Sequence, residues 1–178
     1  MADSLLVHEI YLSIQGESTF AGLPCAFVRL TGCDLRCSYC DTAYAFTGGK
    51  LMTVDEVVAE LEKQCAFTGE PANKLPLVEI TGGEPLLQKN VHPLMRCLCD
   101  MGLIVLVETS GAHDIGASDP RVRHIMDWKC PSSGESDKML ADNIARLKPS
   151  DEVKFVIGTG EDYDWAKAKL AEHRLDER

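Results

Sequence analysis

Residues 24–42, PCAFVRLTGCDLRCSYCDT, set a near-continuous apolar run directly before a polar loop with three cysteines. The run reads as a β-strand over 25–31 that is covered on both faces. The loop after it spaces Cys33, Cys37 and Cys40 as CxxxCxxC. Three thiolates within eight residues can wrap one face of a compact metal centre. A structural zinc site wants four ligands, usually as two closely spaced pairs. No fourth Cys or His lies nearby in sequence, although Cys25 or Cys130 can approach in space. A [4Fe–4S] cluster normally takes four thiolates, so three leave one iron open to a small molecule. On spacing alone a cluster, a zinc site and coincidence all stay open.

Outward from that loop, short β-rich runs alternate with helical ones. Further strands are expected at about 6–14, 76–81, 103–109, 122–128 and 152–157. Thr53 followed by Glu56 is a capping box that opens a helix over TVDEVVAELEKQC. Other helices are expected at about 90–100, with Gly102 as the stop, at 136–147 and at 161–173. The alternation predicts an α/β fold with a parallel sheet, open or curled into part of a barrel. Polar or glycine-rich motifs follow the strands at their carboxyl ends: GCDLRCSYCDT, TGGEP, ETSG and DWKCPSSG. Ligands bind at that edge in parallel α/β folds, so these segments are expected to meet on one rim.

Composition bounds the rest. The chain has 178 residues, 45% of them apolar and 26% charged, with a net charge of −10. That is an ordinary globular composition, long enough for one domain with a real core. The acidic balance argues against a broad nucleic-acid surface. No apolar run approaches a membrane span, and the N-terminus does not read as a secretory signal, so a cytoplasmic, reducing location is the expectation. In that setting eight cysteines point to metal binding or catalysis. Cys25, Cys65, Cys97 and Cys99 fall in apolar or helical segments and read as core, while Cys130 is ambiguous.

CxxxCxxC with an aromatic residue before the last cysteine, here Tyr39, resembles the signature of radical S-adenosylmethionine (SAM) enzymes. The later Gly82-Gly83-Glu84-Pro85 resembles their GGEP-type motif. In order, SIQGE, FVRLTGC, CxxxCxYCDT, EITGGEP, ETSG and KFVIG resemble the 7-carboxy-7-deazaguanine synthase family over most of the chain. That resemblance implies a curtailed parallel β/α barrel of the radical SAM type. It implies conversion of 6-carboxy-5,6,7,8-tetrahydropterin to 7-carboxy-7-deazaguanine with loss of ammonia, in queuosine biosynthesis. The implied cofactors are a [4Fe–4S] cluster, SAM, whose amino and carboxylate groups chelate the open iron, and Mg²⁺. The implied partners are a flavodoxin or ferredoxin donor and a second copy in a homodimer. Residues 1–178 then form a single radical SAM domain that lacks the family's further strand and C-terminal tail.

The same resemblance carries residue roles. Cys33, Cys37 and Cys40 hold the cluster, and Thr42 binds Mg²⁺ through its hydroxyl, although Asp41 or Thr42 also suits a helix cap. Ile14, Gln15, Gly16 and Thr81 contact the substrate. Arg29, near a strand end, is either salt-bridged or grips a carboxylate bidentately, and the resemblance favours the grip. Tyr39, Cys40, Asp41, Gly83, Glu84, Ser110 and Lys129 are assigned to SAM, with Glu84 meeting its ammonium and Lys129 its carboxylate. The five histidines show no ligand spacing. Two rivals remain at this level: a glycyl-radical-enzyme activase, and a non-enzymatic zinc-binding module.

Overall fold

The computed structural model describes residues 4–65 and 77–177, the side chains of Cys65 and Glu177 excepted. Pro76 of the expected strand, the core reading of Cys65 and the chain end at Arg178 therefore lie outside what is described. Seven strands form one open sheet among these residues, in the order β3-β1-β2-β4-β5-β6-β7. They are β1 (Ser4–Ile14), β2 (Pro24–Leu30), β3 (Lys50–Thr53), β4 (Leu77–Gly82), β5 (Ile104–Thr109), β6 (Arg123–Asp127) and β7 (Glu152–Lys154). The helices are α1 (Val54–Cys65), α2 (Val91–Asp100), α3 (Asp142–Arg146) and α4 (Gly160–His173).

From β2 to β7 every neighbouring pair is parallel, and the sheet does not close. The parallel expectation needs correction at the other end. β1 pairs antiparallel with both β2 and β3. Only residues 15–23 join β1 to β2, and a parallel crossover needs a dozen or more residues. β3 was not anticipated, because KLMT is a short edge strand without β-branched alternation. The expected helix over 136–147 is a 3₁₀ turn at Ser136–Lys138 followed by the short α3. Tertiary hydrogen bonds break it: Leu140 N donates to Gly111 O, and the buried Asn143 amide donates to Gly111 O and His113 O.

Alternation along the strands sorts the sheet into two faces. Ala26, Val28, Leu30, Val78, Ile80, Val105 and Val107 point to one face and pack under α1 and α2. Helix α2 contributes Val91, Leu94, Met95 and Leu98 at i, i+3, i+4 and i+7, all buried. Gly102 follows at φ 80°, the left-handed stop that the sequence suggested. On the other face Cys25, Phe27, Leu77 and Leu106 form a smaller apolar plug. Beyond the plug, toward the strands' carboxyl ends, the same face turns polar with Arg29, Glu79, Thr81 and Glu108. A bulge at His8 lets β1 join this scheme: Val7 faces Leu30 and Glu9 faces Arg29, so one residue is extra. It turns Glu9 and Tyr11 to the polar face, while Leu5 and Val7 pack with the main core.

The capping box forms as expected: Thr53 N donates to Glu56 Oε2 at 2.8 Å, and Glu56 N to Thr53 Oγ1 at 3.2 Å. Ile80→Ala, which empties a fully buried site, is expected to lower stability by about 2–5 kcal/mol in urea unfolding. The exposed cap change Thr53→Ala is expected to cost about 1 kcal/mol in the same measurement.

Candidate active site

The carboxyl edge of the sheet and the cysteine loop enclose a cavity of about 440 Å³. That is the size range of small-ligand sites. Cys33, Cys37 and Cys40 all line it, and each is half-buried. Burial pushes the Cys33 and Cys37 thiols above their ordinary range. Neighbouring negative charge adds to this, including Cys37 on Cys33 and Cys40 on Cys37. The three sulfurs thus border one shared space. Cys130, a candidate fourth ligand, is fully buried and directs its Sγ to Trp128 O at 4.0 Å. Cys25 lies in the apolar plug. Among the described residues no group of three or more His, Cys, Asp or Glu side chains stands ready to hold a metal ion. Three half-buried thiols on one loop are the donor set that a cluster with one open iron takes.

Two neighbouring segments grip the loop. At its start, Gly83 N donates to Leu30 O at 3.2 Å and Glu84 N to Gly32 O at 2.9 Å. A Cβ on Gly83 would sit 2.1 Å from Gly32 O, so this glycine is required by the protein backbone itself. Gly82, at φ 132°, has the same relation to Leu30. At its far side, Ser38 N donates to Ser133 O, Ser38 Oγ to Ser132 O, and Arg36 N to Glu135 Oε1 at 2.7 Å. Ser132 is pinned in turn by Asp162 at the start of α4.

Glu84 is fully buried, and both of its oxygens already have donors. Oε1 accepts from Leu86 N and Thr109 Oγ1, and Oε2 from Ser110 N and Ser110 Oγ. It thus ties the GGEP segment to the ETSG segment. Thr81 Oγ1 donates to Glu108 Oε2 at 3.0 Å. Arg29 carries the salt bridge that was the plainer of its two readings: Nε to Glu9 Oε1 at 2.8 Å, with a further bond to the Tyr11 hydroxyl at 2.6 Å. It still lines the cavity. Lys129 lines the cavity too, 5.9 Å from the Tyr39 ring. Burial works against its charge, but Asp127 at 2.6 Å holds its pKa above the ordinary value.

Thr42 occupies the cap position of the short turn Ala43–Phe46 without capping it through its side chain. Its hydroxyl lies 3.8 Å from Cys40 Sγ. Asp41 is exposed, as are Ile14 and Gly16, while Gln15 is buried. Sequence reasoning missed Glu79, Glu108, Asp127 and Lys154, all of which line the cavity floor. Each is an ionisable residue inside an apolar strand, at a position whose alternation faces the ligand edge. That interruption was the available signal. Lys154 bridges Glu17 and Glu108. Burial opposes ionisation of Glu108, yet the Lys154 charge keeps its carboxyl below the usual range.

A loop of three cysteines thus sits at the carboxyl edge of a parallel sheet, backed by the glycine pair at the end of β4. The radical SAM superfamily model matches residues 27–127. The 7-carboxy-7-deazaguanine synthase of Koribacter versatilis is 45% identical over 97% of this chain and 73% of its own length. That of Chlorobaculum tepidum is 46% identical over 96% of this chain and 75% of its own. The crystal structure of QueE from Escherichia coli shares the fold, with a TM-score of 0.74, 24% identity, and coverage of 94% of this chain and 78% of that one. The chain belongs to the 7-carboxy-7-deazaguanine synthase family. It is a radical SAM lyase, and membership implies a [4Fe–4S] cluster and SAM. Neither rival, the glycyl-radical activase or the zinc module, survives that assignment.

Two glycine substitutions separate protein packing from ligand approach. Gly83→Ala is expected to lower the melting temperature of the metal-free protein and its iron content after reconstitution, because its Cβ meets Gly32 O. At Gly16 nothing lies within 4 Å of an added Cβ. Gly16→Ala is therefore expected to melt normally and load iron normally, so any loss of turnover there measures ligand approach.

Proposed function

We propose that the chain converts 6-carboxy-5,6,7,8-tetrahydropterin to 7-carboxy-7-deazaguanine with release of ammonia, in 7-deazapurine biosynthesis. The observation that carries this reading is that the thiol loop and the polar strand floor share one cavity. Cys33, Cys37 and Cys40 would hold the cluster, which together with SAM would supply one-electron chemistry for hydrogen abstraction. The chain's own side chains position and enclose. Gly83 and Ser110, with Tyr39, Asp41 and Lys129, form the SAM side, and Glu84 reaches it through the Ser110 and Thr109 donors that it orients. Ile14, Gln15, Gly16 and Thr81 form the substrate side.

Arg29 binds the substrate carboxylate with the part of its guanidinium fork that Glu9 and Tyr11 leave over. Its guanidinium carbon lies 5.7 Å from the Tyr11 ring centre and 5.8 Å from that of Tyr44, cation–π contacts that help to hold it in place. The Thr42 hydroxyl, which makes no cap bond and lies 3.8 Å from Cys40 Sγ, would offer an oxygen ligand to Mg²⁺. Residues 1–178 act as one radical SAM domain of a cytoplasmic enzyme, fed electrons by a flavodoxin or ferredoxin. Leu12, Ile14 and Leu23, 50–60% exposed around the β1–β2 turn, supply apolar surface for a homodimer. No described helix is long and apolar enough to cross a membrane.

Anaerobic reconstitution with iron and sulfide, followed by SAM, a low-potential reductant and the carboxy-tetrahydropterin, tests the assignment. Deazapurine product by mass spectrometry is expected, and SAM cleavage without that product removes the proposal. Arg29→Ala is expected to keep its cluster and its uncoupled SAM cleavage while product formation falls by at least ~100-fold, the loss of a charge-assisted bidentate contact of roughly 3 kcal/mol. Loss of iron from that variant would make Arg29 structural.

A further inference from the structure

Glu79 is a buried acid of the floor to which the reaction scheme above assigns no duty. Glu79 lies in the middle of β4, 6% exposed, on the same face as Thr81 and lining the cavity. Its Oε2 accepts a hydrogen bond from Gln15 Nε2. Gln15 is itself 4% exposed, and its Oε1 accepts from Glu17 N at 3.2 Å. A primary amide offers two N–H donors and two acceptor lone pairs. The protein uses one of each, which leaves one donor and one acceptor for a ligand. Which side of the amide shows the donor depends on which way the group is turned.

A carboxylate can only accept, so ionised Glu79 compels the amide to turn its N–H inward. A protonated carboxyl can donate to Oε1 instead; a half-turn of the amide then exchanges donor for acceptor and gives up the 3.2 Å bond that Oε1 accepts from Glu17 N. We propose that Glu79 is a positioning residue whose charge fixes the orientation of the Gln15 amide, and with it the hydrogen-bond pattern offered to a heterocyclic edge of alternating donors and acceptors. This rests on the reading of Gln15 as a substrate contact.

The charged and polar groups around Glu79 come from three elements: Gln15 and Glu17 on the β1–β2 connection, Glu108 on β5 and Lys154 on β7. Burial and the Glu108 charge push its carboxyl up to about 7, with Glu17 adding to the rise, while the Gln15 bond and Lys154 oppose it. Lys154 is engaged by Glu17 and Glu108 and makes its ion pairs there. The charge on Glu79 is therefore poised near neutrality. Because the ionised form does the positioning, the ligand-ready orientation is present above about pH 7 and is lost as the pH falls below it.

Two measurements on the full chain test this. In ¹⁵N-resolved spectra the Gln15 side-chain amide is expected to titrate near pH 7, and to stop titrating in Glu79→Gln. With the reconstituted enzyme, the apparent KM for the carboxy-tetrahydropterin is expected to rise roughly tenfold from pH 8 to pH 6, following the ionised fraction of Glu79. Glu79→Gln is expected to flatten that profile while uncoupled SAM cleavage is unchanged. In a Gln15→Ala background the Glu79→Gln change is expected to add nothing further. An amide signal indifferent to pH, or one that still titrates in Glu79→Gln, overturns the proposal, as does full additivity of the two substitutions. If the amide titrates but the protein neither binds nor turns over the pterin, the substrate reading fails while the control of Gln15 by Glu79 stands.

Discussion

Two backbone strands approach each other more closely at the end of β4 than any side chain would allow, and the site hangs on that contact. Gly82 and Gly83 lie against Leu30 and Gly32, where any Cβ would collide with a carbonyl. The approach lets the main-chain donors of Gly83 and Glu84 reach the carbonyls of Leu30 and Gly32, within three residues of Cys33. The cysteine loop therefore leaves the sheet from a fixed point. Glu84, carried inward by the same turn, is surrounded by four donors and holds Thr109 and Ser110 beside the cavity. A buried carboxylate is tolerable only when its acceptor sites are filled, as they are here. One short motif thus positions two walls of the pocket through backbone geometry and one acid.

The rest of the pocket follows from strand alternation. Residues two apart share a face, so the apolar plug of Phe27, Leu77 and Leu106 gives way, one step along each strand, to Arg29, Glu79 and Glu108. Phe27 of the plug borders the cavity, and Leu77 and Leu106 pack with it as a buried cluster. The polar step supplies charges in a setting where each interacts strongly with its neighbours. Lys154 answers Glu108 and Glu17, Lys129 answers Asp127, and Arg29 answers Glu9. Glu79 has an amide as its partner, and its carboxyl is the one on the floor whose pKa rises to about 7.

The motifs and their order were readable because each is local: a loop of three thiols, a glycine pair, a capping box. The β1–β2 hairpin was hidden by a rule of alternation that ignored how short the connection at 15–23 is. The interrupted helix near 136–147 was hidden because Asn143 finds its partners in a loop thirty residues earlier. Glu79, Glu108, Asp127 and Lys154 escaped notice because a lone acid or lysine in an apolar strand has no meaning until the facing strands are known.

The amino-acid sequence alone determined the chemistry on offer: three thiolates in one loop, a glycine pair in a GGEP motif, and strands patterned to be covered on both sides. Those properties depend on residue type and spacing, which folding does not alter. Only the tertiary structure decided who faces whom. It buried Cys25 and Cys130 off the cavity lining, turned Glu84 toward its own protein donors, and set Glu79 behind Gln15. Partnerships of that kind arise between residues 64 positions apart, as for Gln15 and Glu79, and they exist only once sheet order and register have brought the chain together.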